Sequence, residues 1–461
     1  MDNKQNLPAD VLMEQYLRQG EFLAENKWKD YVEGLEGYPR VLTAILLENT
    51  DRAIQSMEET TKVVNIGSFT KYVFPLVRAI FPNLIAMEIC SVQPMTGPAS
   101  LIFYFDFVYG TSKGAVSAGT KVFDAVAGPN MQDYTYSSET VKDETIGTGD
   151  GSKTTFSASL AFIPVRPGTV TVVAASVTGT DNGSGTISGT GISSGTIDYT
   201  SGAISITFSS APANGVSVKV TYEYNSETQQ NIPEIDILLS SSPVTARPRK
   251  LRARWGLESA NNLKALYGLD ADTELVAALA EEIRFEIDRE VIDDIWNNAY
   301  TSNTVSAWDA TSGTGVSYTE HKLSLIDKFV TGSNNIFQNT KRATGNWIVM
   351  GTGVANVVET LPGFRPDPAA GAIGVVRMGT LNGRWACYKD PWMVSTRYLV
   401  GHKGVSFLEA GYVYAPYIPL MTTPVVVLDD FVGRRGILTQ YAKKLINARF
   451  YAQGTVTNLP S

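Results

Sequence analysis

The spacing of apolar residues changes several times along the chain, and each change predicts a different kind of element. Over residues 1–60, "PADVLMEQYLRQGEFLAENKWKDYVEGL" places Val11, Leu12, Tyr16, Phe22, Leu23 and Trp28 at intervals near three and four. "YPRVLTAILLENTDRAIQSMEE" repeats the pattern around Pro39. That spacing lines one helix face, so the segment predicts a helical arm that packs on neighbours. Residues 81–98, "FPNLIAMEICSVQPMTGP", set an apolar run, a buried-looking carboxylate at Glu88 and a cysteine against a proline-rich turn. The stretch is tightly specified without resembling a catalytic device. "LIFYFDFVYG" (101–110) is aromatic and strand-prone. Its return partner is predicted in "IPEIDILLSSSPVTARPRKLRARW" (232–255), whose prolines suit an exposed edge.

Between these limbs the texture is different. From Thr145 to Tyr222 only Asp150, Lys153, Arg166, Asp181, Asp198 and Lys219 are charged. "TTFSASL", "GTVTVVAASV", "GAISITF" and "VSVKVTYEY" alternate polar and apolar residues between Gly, Asn and Pro turns. Short alternating strands at this spacing predict a small all-β sandwich inserted in a loop of its host. The most regular helix follows, with Leu275, Leu279, Ile283, Ile287, Val291 and Ile295 recurring every four residues. Asp270 or Asp272 can cap its start, and Arg284/Asp288 and Arg289/Asp293 are spaced to pair across a turn. Residues 303–430 mix "KLSLIDKFVTGSNNIF" as helix, "GNWIVMG" as buried strand, "GVANVVETL" as helix and "PVVVLDD" as strand. "GRRGILTQYAKKLINARFY" predicts alternating turns and apolar pieces.

Composition narrows the class. At 461 residues and 43% apolar content the chain can bury a sizeable core. A formal charge of -8 argues against a general binder of nucleic acid or anionic membranes. No uncharged apolar run approaches the roughly 20 residues that cross a bilayer, and "MDNKQNLPAD" has no secretory signal pattern. A soluble chain made in a cytoplasm is expected. Cys90 and Cys387 lack metal-type spacing and are expected as buried reduced thiols.

Candidate chemistry is sparse. His321 falls in polar loop sequence and His402 in a predicted turn, "VGHKG", and neither has a ligand partner within helical reach. "WIVMGTGVANVVE" reads strand, Gly351-x-Gly353, helix, but Asn356 stands where a dinucleotide fingerprint needs its third glycine. "GTGDGSKTTF" is not a phosphate loop and reads as a hairpin turn. "ARPRKLRARW" concentrates Arg247, Arg249, Lys250, Arg252 and Arg254. Three readings stay open for it: phosphate contact, a solvated strand edge that blocks aggregation, and the favoured one, ion pairing with acidic neighbours in an assembly. No catalytic residue, cofactor or metal site is expected.

"LVRAIFPNLIAMEICSVQPMTGPASLIFYFDFVYG" (76–110) resembles the major capsid protein of T-even-like tailed phages. The order Arg-bearing helix end, Pro-Asn-Leu-Ile-Ala, acidic residue, Val-Gln-Pro-Met turn and aromatic strand carries the resemblance. Residues 41–50, 263–296 and 401–420 agree with it. The resemblance implies an α+β chain of the Hong Kong 97-type capsid fold, with a long spine helix and an extended β loop; the sandwich-like domain inserted in that loop departs from the family pattern and is expected either to decorate the outer surface or to reinforce contacts between subunits. The implied organisation is a helical arm (1–60), a peripheral domain begun at 61–100, and an extended loop (101–255) holding the insertion (142–226). The peripheral domain resumes with the spine (256–305), an axial domain follows (306–415), and 416–461 return to the periphery. The function implied is a non-enzymatic, self-assembling subunit whose hexamers and pentamers form an icosahedral head around packaged DNA. Partners implied are other copies of the chain, then vertex, portal, scaffold and decoration proteins and a maturation protease, with DNA met only indirectly and no membrane. Family members often lose an N-terminal segment after an apolar-x-Glu triplet. "LAE" and "SME" loosely match, making Glu25 and Glu58 candidate cut points, although retention is expected. Two rivals stay open: a capsid vertex protein of the same family, and a β-rich surface adhesin or carbohydrate-binding virion protein.

Overall fold

A computed structural model describes residues 9–60, 84–122, 135–227, 231–313, 315–367, 373–404, 410–423, 425–427 and 432–459, with the backbone alone for 9–16, 54–60 and Phe105. The chain divides into two compact units, Met1–Tyr104 with Leu239–Ser461, and Phe105–Leu238.

The larger unit is α+β. Its arm is helical, as expected, with helices Ala9–Glu25, Lys29–Val32 and Tyr38–Thr60. Gly20 lets the two long helices meet closely, because a Cβ there would lie 2.6 Å from Val41 Cγ1 and 2.8 Å from Ile45 Cδ1. Ala24, Trp28, Leu42, Leu46 and Leu47 of the arm join the main core.

That core lies between the spine helix, Ala271–Asn298, and a five-stranded sheet. Strands run in the order Ser91–Val92, Tyr412–Thr422, Val432–Leu445 and Arg247–Gly256, with Val426–Val427 paired beside the third. At about 1.5 Å per residue the 28-residue helix spans roughly 42 Å. The Asp270 side chain accepts the Asp272 N–H and caps its start. Ile283, Ile287, Val291 and Ile295 pack against Tyr412, Tyr414, Ile437 and Tyr441.

The helix departs from its predicted pattern in three ways. In the first turns Val276 and Ala280 are buried, while Leu275 and Leu279 are half-buried. Further on Phe285, Asp288 and Ile292 are also buried, so a second side of the helix is covered. The expected ion pairs therefore do not form. Asp288 turns inward, Arg284 donates to the Ile373 carbonyl, Arg289 pairs with Glu282, and Asp293 accepts from Asn297.

The tail and the return limb also differ from expectation. "GRRGILTQYAKKL" is not a set of turns but one 14-residue strand, Val432–Leu445, in which Ile437, Thr439 and Tyr441 alternate inward. Gly433 sits under Trp255, where a Cβ would come within 2.7 Å of the indole. The 232–255 limb splits at Ala246. Ile235–Thr245 pairs with Ala99–Tyr109, whereas Arg247–Gly256 pairs residue by residue with the tail strand, from Arg247↔Tyr441 to Gly256↔Val432.

Residues 306–415 supply six strands of a seven-stranded sheet, and Tyr451–Thr457 of the tail expected at the periphery inserts as the seventh, in the order Trp308–Asp309, Tyr451–Thr457, Arg397–Gly401, Trp347–Gly351, Trp385–Asp390, Val376–Leu381 and Phe364–Pro366. Helices Tyr318–Thr340 and Thr352–Glu359 close its core through Leu325, Phe329, Ile336, Val354 and Val358.

The smaller unit contains the expected sandwich. Five strands (Thr140–Thr148, Ser217–Glu223, Thr171–Ala174, Val177–Asp181, Ile187–Ser188) face three (Thr155–Ser159, Ala203–Phe208, Ile192–Ile197) across a core that includes Phe156, Phe162, Ile206 and Tyr222. "GTGDGSKTTF" is not a hairpin turn. Thr140–Thr148 and Thr155–Ser159 lie in different sheets, and Asp150 Oδ1 accepts from Ser152 and Lys153 N–H to turn the corner between them. Lys113 is buried and gives its ammonium to the Thr135, Tyr136 and Ser138 carbonyls, beside the Phe162 and Tyr224 rings.

Candidate assembly surface

Two segments that leave the core are tied down by polar side chains of the spine, and these ties act as rigid roots. The first fixes the junction after the arm. Helix Ile85–Ile89 starts with no side-chain cap of its own. Instead Asp288 Oδ1 accepts the Ile85 N–H at 3.0 Å. Burial drives the Asp288 carboxyl up to about 7; the Ile85 N–H and the Arg284 charge pull the other way, and Asp390 adds to the rise. The buried carboxylate of this junction is thus Asp288, not Glu88. Glu88 is exposed and accepts from Tyr388 Oη at 2.9 Å, because its short helix turns Ile85, Ala86 and Ile89 inward. Lys403 donates to the Met87 carbonyl, and burial lowers its pKa.

The second root fixes the basic strand. Arg249 forms ion pairs with Glu286 (2.7 Å) and Glu290 (2.6 Å) of the spine and donates to Tyr441 Oη. Burial opposes the Arg249 charge, but Tyr441 and Glu290 outweigh it and raise its pKa. Lys443 reaches Glu290 and Asp294, Tyr412 donates to Asp294, and Arg435 pairs with Asp272. Glu286, Glu290 and Asp294 recur every four residues, so one helix stripe presents all three to the sheet. Arg249 is therefore engaged within its own chain. Strand alternation sends Lys250, Arg252 and Arg254 to the opposite face, where all three are exposed, and Arg247 is exposed at the strand's start.

The outward part is the limb itself. Ile235–Thr245 has one buried residue in eleven, and Ile235, Ile237, Leu238 and Leu239 all face solvent. A two-stranded ribbon with bare aliphatic side chains is marginal in water and calls for a cover.

No alternative chemistry converges anywhere in the described residues. His321 lies in helix Tyr318–Thr340 rather than a loop, stacked on Trp308 with Nε2 at the Asp309 carbonyl. His402 follows a strand, places Nδ1 at the Thr344 carbonyl and stacks on Phe450. Gly351 and Gly353 make room for the Val394 and Ser395 backbone, and Val354 N–H already donates to Ser395. Cys90 and Cys387 are buried and free, and burial pushes the Cys387 thiol up to about 12. Glu25 is exposed at the end of the first arm helix; the Glu58 side chain lies outside the described residues. Among the described residues no group of acids, histidines or cysteines is placed to hold a metal ion, and no helix is long and apolar enough to cross a membrane.

Rigid roots and an uncovered limb suit a structural subunit. The family model for Major capsid protein Gp23 matches residues 66–460, and the chain belongs to that family. It is a virion structural protein, not an enzyme. It is 27% identical over 482 residues to the major capsid protein of Enterobacteria phage T4, covering 90% of each chain. To that of Vibrio phage KVP40 it is 28% identical over 416 residues, covering 83% of this chain and 76% of the relative. Among solved structures it overlaps the capsid of Myoviridae Phage XM1 (12% identity, TM-score 0.34, 68% of this chain and 89% of that one). It also overlaps the mature capsid of bacteriophage PhiM1 (12% identity, TM-score 0.35, 52% and 79%).

Proposed function

We propose that identical copies assemble into hexameric and pentameric capsomers of Hong Kong 97-type geometry, closing an icosahedral head around packaged DNA. The bare limb Ile235–Thr245 carries this reading, since its aliphatic residues find no cover among the described residues. Each contact can be weak, because many act together on a tethered lattice. The extended loop ties neighbours, whereas the described arm residues pack into their own chain's core rather than on a neighbour; the spine braces the periphery, and residues 306–415 form the axial part of each capsomer. Exposed Arg247, Lys250, Arg252 and Arg254 set register between subunits. Synthesis in the host cytoplasm, scaffold, portal, vertex and decoration partners, and a maturation protease belong to the same reading.

Negative-stain microscopy and sedimentation of the full chain over a wide concentration range test it. Rings, tubes or shells are the expected products. A chain that melts cooperatively yet stays monomeric throughout, alone and with its scaffold protein, overturns the proposal.

A further inference from the structure

A cavity of about 730 Å³ lies in the larger unit, bounded by the arm, the junction segment and the seven-stranded sheet. That volume is typical of small-molecule sites, about 300–1,000 Å³. Leu17 and Pro39 of the arm, Met87 and Val92 of the junction, and Ala386 of the sheet give it apolar walls. Glu88 is the one acid among its described lining residues, and its carboxylate already accepts from Tyr388.

Donors outnumber acceptors there. Trp347 lines the cavity and is 2% exposed, yet its indole N–H has no acceptor among the described residues. The ring is pinned over Gly401, where a Cβ would lie 2.1 Å from Cζ2, so it is not free to turn elsewhere. A buried donor without an acceptor is costly, and a ligand oxygen in the cavity would satisfy it. Lys403 also lines the space, its main chain held by two hydrogen bonds to the Asn346 amide at 2.9 and 3.0 Å. Its ammonium gives one of three donors to the Met87 carbonyl. Burial disfavours its charge, and Glu88 and Cys90 oppose this only in part. Arg377, paired with Asp367 at 2.9 Å, adds a second cation to the lining.

We propose that this cavity binds a small amphipathic carboxylate, its head group taken by Lys403 and the Trp347 N–H and its aliphatic body laid along the arm side. The cationic lining selects the sign of the head group, and the apolar walls select the tail. Because the arm supplies one wall and the sheet another, the bound molecule ties arm to body. Its occupancy therefore sets how firmly residues 17–40 are held, whatever the state of assembly.

Calorimetric titration of the dilute full chain with sodium dodecanoate, kept well below micelle formation, tests it. Saturable one-to-one binding is expected, with a Kd of about 10–1,000 µM for a ligand of this size. Dodecyltrimethylammonium, which carries the same tail under the opposite charge, should bind at least about tenfold more weakly. Lys403→Met should weaken dodecanoate at least about tenfold, and Lys403→Arg should bring it back to within about threefold of the parent. Ala386→Leu should also weaken it, by filling the space. Saturating dodecanoate should slow tryptic cutting within residues 18–40 at least about threefold in the parent chain and leave it unchanged in Lys403→Met. Absence of saturable binding overturns the proposal, as does equal affinity for the two detergents, a comparison that needs no variant to fold. Dodecanoate binding that survives Lys403→Met unchanged overturns it too. None of these results bears on self-assembly, because all are read on the unassembled chain.

Discussion

Replacing Asp288 by Asn tests whether the junction is held by a buried carboxylate at a measurable cost. The carboxyl sits at about 7 in the fold against an ordinary value of 3.8, chiefly through burial. A raised value means the folded state favours the protonated form, so the residue costs nothing below pH 4 and progressively more as pH rises through 7. Linkage at 1.36 kcal/mol per pKa unit gives a cost of about 1.5 kcal/mol at pH 5 and about 4 kcal/mol at pH 8. Asn keeps an oxygen for the Ile85 N–H and stays neutral, so the variant should gain about 2–3 kcal/mol over the parent chain between these pH values. Cys90, Tyr414, Asp390 and Arg284 also face this group electrostatically; they remain in both proteins, and the pull of Arg284 and push of Asp390 on the Asp288 charge are already contained in its shift. Urea melts of dilute protein, followed by tryptophan fluorescence at pH 5 and pH 8, supply the four free energies. A differential below about 0.5 kcal/mol would show that the carboxyl is not buried as described.

Arg249→Met should destabilise the larger unit by only about 1 kcal/mol, because the pairs it removes are half-exposed and Glu290 keeps Lys443; chemical melts of the variant check it. Gly20→Val should cost about 1–3 kcal/mol by forcing the arm helices apart, read as a lower melting temperature and greater hydrogen exchange over residues 38–50. Cys90 and Cys387 should be inert to an aromatic disulfide reagent in the native chain and both react in denaturant. Lys113→Met should loosen the attachment of the sandwich without unfolding its core, seen as faster exchange at Tyr136 and Ser138 while Val172 and Val220 stay protected.

The sequence made the large elements legible where one periodicity ran long enough. The spine was readable because its apolar stripe repeats for six turns behind a capping aspartate, and the sandwich because charge nearly vanishes while alternation persists. What stayed hidden depended on remote partners. Glu88 looked buried from its apolar neighbours, but a five-residue helix turned it outward, and the inward carboxylate came from a residue 203 positions away. Asp150 makes the same local turn whether the strands it joins pair or part, so the hairpin reading could not be separated from a corner. In the tail strand, Gly433, Gly436 and the paired basic residues mimic turns, although alternation at Ile437, Thr439 and Tyr441 was the available signal. Arg249 and Arg252 look equivalent in "ARPRKLRARW", and only the spine on one side of the sheet makes one internal and the other exposed.

These hidden partners converge on one short stretch. Within Glu286–Glu290 the spine holds the junction through Asp288 and the root of the extended limb through the Arg249 pairs. Neither contact is a cheap source of stability. A half-exposed ion pair contributes about 0–1 kcal/mol and a buried carboxylate is unfavourable at neutral pH. An aliphatic residue at 288 would pack more favourably but would leave the Ile85 N–H without a partner, and no aliphatic side chain fixes direction as a hydrogen bond does. The arrangement makes sense if geometry, rather than stability, is what matters there. In the assembly proposed above, a hexamer and a pentamer would differ by small changes in how subunits meet, so the parts that meet neighbours would have to leave the body at set angles. Fixing both on the same helical turn makes their relative angle independent of strain elsewhere in the chain. Cutting one tie while keeping the other should therefore alter the curvature of assembled products before it alters whether they form. Arg249→Met particles imaged beside the parent should show a broader spread of diameters, and an unchanged spread would mean that curvature is set elsewhere.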